Sequence, residues 1–74
     1  MASARSALTD AERAIELDPA LHVAWRLAGL LRARLGDRPG AIALVERGLA
    51  LFPPGSTGAT ALAGTLDQLR LGGS

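Results

Sequence analysis

The chain has no cysteine, no tyrosine and no lysine, and only one tryptophan and one phenylalanine. Without cysteine, neither a disulfide framework nor a thiolate metal site can staple so small a core. Long apolar runs are missing as well. No stretch approaches the ~20 apolar residues that a membrane-spanning helix needs, and the opening "MASARSALTD" lacks the apolar centre of a signal peptide. A soluble, cytoplasmic chain that makes no membrane contact is the default expectation. Charge of one sign is scarce too. The eight cations, all arginine, oppose seven carboxylates for a formal charge of +1, which gives little steering toward nucleic acid or anionic lipid. β-Branched aliphatics are confined to Ile15, Val23, Ile42 and Val45. What is abundant is alanine and leucine, the strongest helix formers, within an apolar content of 49%. That balance predicts an all-α chain, and 74 residues allow one domain with a marginal core.

Helical spacing of apolar residues divides the chain into four segments. The first runs over residues 3–17, with Ala7, Leu8, Ala11, Ala14, Ile15 and Leu17 forming a stripe. Pro19 disfavours helical geometry at Asp18 and so stops it. The second runs over residues 20–35, where Leu21, Ala24, Trp25, Ala28, Leu31 and Leu35 are expected to face neighbouring helices. Gly36 suits the left-handed turn that ends it, Asp37 suits an N-cap, and Pro39 fits the first turn of the third helix. That helix runs over residues 39–51, through Ala41, Ile42, Val45 and Leu49 toward Phe52, until Pro53-Pro54-Gly55 stops it. The fourth, residues 56–71, keeps Leu62, Leu66 and Leu69 in helical register and has Ser56 or Thr57 as a cap. Gly58 and Gly64 inside it each cost about 1 kcal/mol against alanine. Residues 72–74 form a frayed tail.

Sliding the sequence against itself by 34 residues exposes a duplication. Ala7 meets Ala41, Glu12 meets Glu46, Arg13 meets Arg47, Leu17 meets Leu51 and Pro19 meets Pro53, five identities among the thirteen positions 7–19. Conservative pairs such as Leu8 with Ile42, Ala11 with Val45 and Ala14 with Gly48 fill the register. Paired helices at this period are the mark of a stacked helical-hairpin array.

Within that period the residues run Trp25-x2-Ala28-Gly29-x2-Arg32, then Ala41-x3-Val45, Gly48 and Pro53. This resembles the tetratricopeptide repeat family, whose pattern is W-x2-L-G-x2-Y, A-x3-F, then P. Ala28, Arg32 and Val45 depart from it, each replacing a bulkier packing residue. The resemblance implies an all-α helical-hairpin solenoid of four antiparallel helices in a right-handed stack. Residues 20–53 would be one complete repeat, residues 3–17 the second helix of a preceding repeat, and residues 56–71 a terminal helix. It further implies structural roles for Pro19, Trp25, Gly29, Gly36, Ala41, Val45, Gly48 and Pro53. Trp25 would fill the space between helices that Gly29 allows to approach, and the prolines and Gly36 would set the turns.

By the same resemblance the first helix of each repeat lines a concave peptide groove. Val23, Arg26, Leu27, Leu30, Ala33 and Arg34 would line it here, joined by Thr57, Thr60 and Gly64, with Ala61, Asp67 and Gln68, of the fourth helix. An apolar stripe between arginines suits an amphipathic helix or an extended segment bearing Asp or Glu. The alternative is that Val23, Leu27 and Leu30 bury against another helix of the array or of a second copy. Some members clamp a terminal carboxylate with Lys and Asn on this face. Leu30 stands where that Asn would be, so the clamp is not expected.

Other chemistry finds no support. His22 has no second His or Cys to complete a zinc site and is expected at the exposed start of helix two. No nucleophile with a base, no paired carboxylates and no phosphate loop occur, and "RPGAIALVERG" lacks the Walker lysine. Neither catalysis nor a cofactor or metal is expected. Arg26, Arg32, Arg34 and Arg38 form a local basic run, but no aromatic interleaving or DNA-binding motif accompanies it, so nucleic acid is not an expected partner. The expected function is a protein–protein or protein–peptide scaffold, belonging to a longer array. The alternatives are a docking segment of a larger enzyme, such as a transferase, and a self-associating repeat module that forms homo-oligomers.

Overall fold

Three of the four helices begin where a short polar side chain accepts from one of their unpaired amides. The computed structural model describes residues 3–72, so Gly73 and Ser74 of the expected tail lie outside the described residues. Four helices follow in order: α1 Ala4–Leu17, α2 His22–Arg34, α3 Arg38–Leu49 and α4 Thr57–Leu71, and no strand occurs among the described residues. Ser3 caps α1 by accepting from the Ser6 amide at 3.1 Å. Asp37 caps α3 by accepting from the Gly40 amide at 3.0 Å, with Pro39 in the first turn. Ser56 caps α4 by accepting from the Ala59 amide at 3.2 Å. Only α2 lacks a side-chain cap.

The stops are equally local. At the end of α2 the Gly36 amide donates to the Ala33 carbonyl at 3.0 Å, and the Asp37 amide to the Arg32 carbonyl at 2.9 Å. This paired closure needs a left-handed residue between, and Gly36 supplies it with φ 91°. After α3, the Leu51 and Phe52 amides bond back to Gly48 and Leu49. Pro53 and Pro54 follow, and Gly55, at φ 83°, turns the chain toward α4.

Helix α1 packs on α2 alone, whereas α2, α3 and α4 all touch one another, giving a slab of 35 × 32 × 17 Å. Glu46 pairs with Arg70 and Phe52 lies against Gly58, so α3 and α4 run antiparallel. Trp25 lies over Gly48 and Gly29 over Val45, so α2 and α3 are antiparallel too. The core is Trp25, Ala41, Val45, Leu62, Leu66 and Leu69, with Val45 and Leu62 wholly buried. Removing side chains of that size from water contributes about 1.5–3 kcal/mol each.

Several expectations need correcting. Helix α2 starts at His22, not residue 20, because Pro19 and Ala20 form a turn in which the Leu21 amide donates to the Asp18 carbonyl. Leu21 and Leu35 then flank the helix as its two caps and are exposed, so neither faces into the core. Leu17, the last residue of α1, is 80% exposed although it continues the apolar stripe, because no helix lies on that side. Helix α3 likewise runs from Arg38 to Leu49, which leaves Leu51 beyond its end and exposed. His22 is only half-exposed: its ring meets Phe52 edge-on at 6.2 Å. Helix α4, despite its two glycines, is the longest helix and buries Gly58, Ala59, Leu62, Thr65, Leu66 and Leu69.

Candidate interaction surface

The motif residues meet around one seam. A Cβ on Gly48 would lie 2.7 Å from the Trp25 ring, and one on Gly29 would overlap a Val45 methyl. The α2–α3 approach therefore depends on both glycines being bare. Trp25 is fixed further by its indole N–H, which donates to the Pro19 carbonyl at 2.9 Å. The large residue is thus tied to the preceding turn, and its face lies on α3. Ala41 closes the other end of the seam, fully buried, while Pro19 and Pro53 stay at the exposed turns.

Arg32, where the repeat pattern has tyrosine, replaces packing with charge. Its guanidinium reaches Glu12 of α1 at 2.5 Å and Asp37 at 3.3 Å. Arg70 of α4 reaches Glu46 of α3 at 2.8 Å. Glu12 and Glu46 are equivalent positions of the 34-residue duplication, and each takes an arginine from the next helix along the chain. These pairs are part exposed and contribute roughly 0–1 kcal/mol each. Their effect on the surface is larger. Arg32 is withdrawn from the basic run, leaving the exposed Arg26 and Arg34 and the half-buried Arg38, none of which makes an ion pair among the described residues.

The face of α2 expected to meet a peptide divides in two. Val23 is 50% exposed and Leu27 45% exposed. Leu30 and Ala33 are half-buried and pack against the core cluster. Two concavities flank this face and share Leu27. One, about 360 Å³, lies between α1 and α2 and is lined by Ala7, Asp10, Ala11 and Ala14 opposite Leu21, Val23, Ala24 and Leu27. The other, about 260 Å³, is lined by Leu27, Leu30, Leu31 and Arg34. Thr57, Thr60 and Gly64 are exposed on α4 but line neither, so the structure does not gather them with the α2 residues in one pocket. The α1 contribution was not foreseen. Its signal is the duplication itself, since Ala7, Asp10, Ala11 and Ala14 are the counterparts of Ala41, Leu44, Val45 and Gly48.

Among the described residues no three His, Cys, Asp or Glu side chains gather to hold a metal ion. No helix among them is long and apolar enough to cross a membrane. The arrangement offers two mainly apolar concavities, one of them bordered by Arg34. Comparison with protein-family models, with curated proteins and with solved structures finds no match to this chain.

Proposed function

We propose that the chain is a protein-interaction module, a tetratricopeptide-type stack of helical hairpins with a right-handed sense, that receives a protein or peptide partner on the outward face of α2. The observation that carries the reading is the exposure of Val23 and Leu27 on a well-anchored helix. Apolar side chains of that size side by side, rimmed by Arg26 and Arg34, form a patch that gains from being covered. The seam of Trp25, Gly29, Val45 and Gly48 supports the repeat character, because each residue has the packing role its place in the pattern implies. Arg26 and Arg34 lie eight residues apart, about 12 Å along the helix axis. That spacing suits a partner with apolar residues on one face and carboxylates at its edges.

Titration of the isotope-labelled chain with a short amphipathic helical peptide carrying Asp and Glu tests this by NMR. Amide shifts centred on Val23, Arg26, Leu27 and Leu30 are expected, and a variant with both Arg26→Glu and Leu27→Glu, at two exposed positions, loses them while keeping its helicity. Shifts centred on the outer side of α3, or unchanged binding by that variant, would refute the assignment.

A further inference from the structure

The two concavities beside the outward face of α2 differ in charge. In the larger, between α1 and α2, Asp10 is the one charged residue of the wall. In the smaller it is Arg34. Both side chains are exposed, and neither makes an ion pair among the described residues. The remaining walls are alanine, leucine and valine, and Leu27 belongs to both. A segment that fills one concavity and crosses Leu27 therefore enters the other. The surface is an apolar track with a carboxylate on one stretch and a guanidinium on the other.

Position along α2 orders these charges. Leu21 and Val23, at its N-terminal end, line only the first concavity, and Leu30 and Arg34, toward its C-terminus, line only the second. Val23 and Leu30 are seven residues apart, about 10 Å along the axis, which is two turns of any α-helix. A partner helix lying along α2 thus reaches both concavities with apolar residues seven apart. Arg34 lies one further turn on, about 6 Å beyond Leu30. Arg26 stands on the first half of α2 but lines neither concavity, so Asp10 is the nearer charge to a side chain seated in the first.

We propose that the occupant is an amphipathic helix of a partner protein lying antiparallel to α2. Asp or Glu in its first turn meets Arg34, and Lys or Arg in its last turn meets Asp10. This rests on the docking proposed above and adds its direction. Charge complementarity fixes where each end charge goes, because the opposite placement sets like charges against each other at both ends. The order of those charges in the partner follows from the helix itself. The N-terminus of an α-helix carries partial positive charge and its C-terminus partial negative charge, so acids are favoured in the first turn and cations in the last. A helix built in that order brings its acid to Arg34 and its cation to Asp10 only when it runs against α2.

Two end-capped peptides of identical composition test the direction. Both carry apolar residues three, four and seven apart on one face. One has Glu in its first turn and Lys in its last, and the other has the reverse. Each bears a nitroxide at its N-terminus, and broadening of amide signals in the isotope-labelled whole chain shows where that end lies. The acid-first peptide is expected to broaden Arg34 and Leu35 and to spare Val23 and Ala24. Asp10→Asn is expected to weaken its binding roughly two- to fivefold at low salt, the range of partly exposed ion pairs. Asp10→Lys with Arg34→Glu reverses both charges at exposed positions. On that variant the acid-first peptide is expected to turn round and broaden Val23 and Ala24.

Broadening of Val23 and Ala24 in the wild-type chain by the acid-first peptide, or equal broadening at both ends, overturns the direction and leaves the docking standing. A direction unmoved by the double reversal, or an affinity unmoved by Asp10→Asn, overturns it as well. If neither peptide shifts Val23, Leu27 and Leu30, the docking falls, and the direction with it.

Discussion

Adding the same methyl group at two glycines should move stability in opposite directions. In a helix interior, alanine is favoured over glycine by about 1 kcal/mol. At Gly64 a Cβ meets nothing within 4 Å, so Gly64→Ala is expected to collect that gain, raising the melting temperature by about 4–8 °C for a chain of this size. At Gly48 the Cβ would lie 2.7 Å from Cδ2, 2.8 Å from Cγ and 2.9 Å from Cε3 of Trp25. Carbon atoms are at ease near 3.5–4.0 Å, so the ring must retreat by roughly 0.7 Å or more. It has little freedom to do so, because it is 4% exposed and its N–H is bonded to the Pro19 carbonyl.

Overpacking of this kind costs about 1–3 kcal/mol, and an anchored ring met at three atoms belongs at the upper end. Less the helical gain of about 1 kcal/mol, Gly48→Ala should destabilise by about 2 kcal/mol, lowering the melting temperature by roughly 8–16 °C. Thermal and urea melts followed by far-ultraviolet circular dichroism read both variants on one scale. If Gly48→Ala melts at or above the parent, Trp25 is not packed on Gly48. If Gly64→Ala melts below it, the outer side of α4 is not open at that position.

Trp25→Ala should cost about 3–5 kcal/mol and unfold much of the population; Trp25→Phe, which loses the indole donor and part of the ring, should cost less, with the difference read in urea midpoints. Arg70→Gln should change stability by under about 1 kcal/mol, and its effect should vanish in high salt, because both partners of the Glu46 pair are about half exposed; a larger, salt-independent loss would contradict this. Asp37→Ala removes the cap of α3 and should cost about 1 kcal/mol, whereas Thr57→Ala, beside the Ser56 cap, should be nearly neutral; equal losses would show that Ser56 is not the cap.

Much of the fold was legible because its signals are local. Asp37 and Ser56 cap through their own side chains, Gly36 and Gly55 turn with positive φ, and Pro19 and Pro53 stand in the turns after α1 and α3 while Pro39 sits in a first helical turn. Packing roles for Trp25, Gly29, Val45 and Gly48 were implied by the family resemblance, and the four residues lie along one seam between α2 and α3. Helix ends were harder. A helical wheel places Leu21 and Leu35 on the buried side, but each is a cap whose backbone has left the helix, so its side chain points elsewhere. Contacts between distant residues left no trace in periodicity. The His22–Phe52 ring pair and the Arg32–Glu12 bridge depend on how turns bring helix ends together. Of the candidate surface, Val23 and Leu27 were placed by the family resemblance, whereas the α1 side consists of Asp10 and three alanines, whose size makes them look like filler.

Helices α1 and α3 make the general point, since they share Ala7 with Ala41, Glu12 with Glu46 and Arg13 with Arg47 in register and yet differ in burial. Ala41, Val45 and Gly48 are buried because α2 lies on them, while on α1 only Ala11 is buried. The same pattern of residues is core in one helix and the wall of an open concavity in the other. Burial in a stack of this kind belongs to the presence of a neighbour as much as to the residue. Local stability should follow it. Amide exchange is expected to be slowest in α3, which is covered by α2 and α4, and fastest in α1, which is held by α2 alone. A partner bound in the α1–α2 concavity would cover α1, so it should slow exchange in α1 far more than in α3. Uniform slowing of all four helices would mean that the concavity is not where the occupant sits.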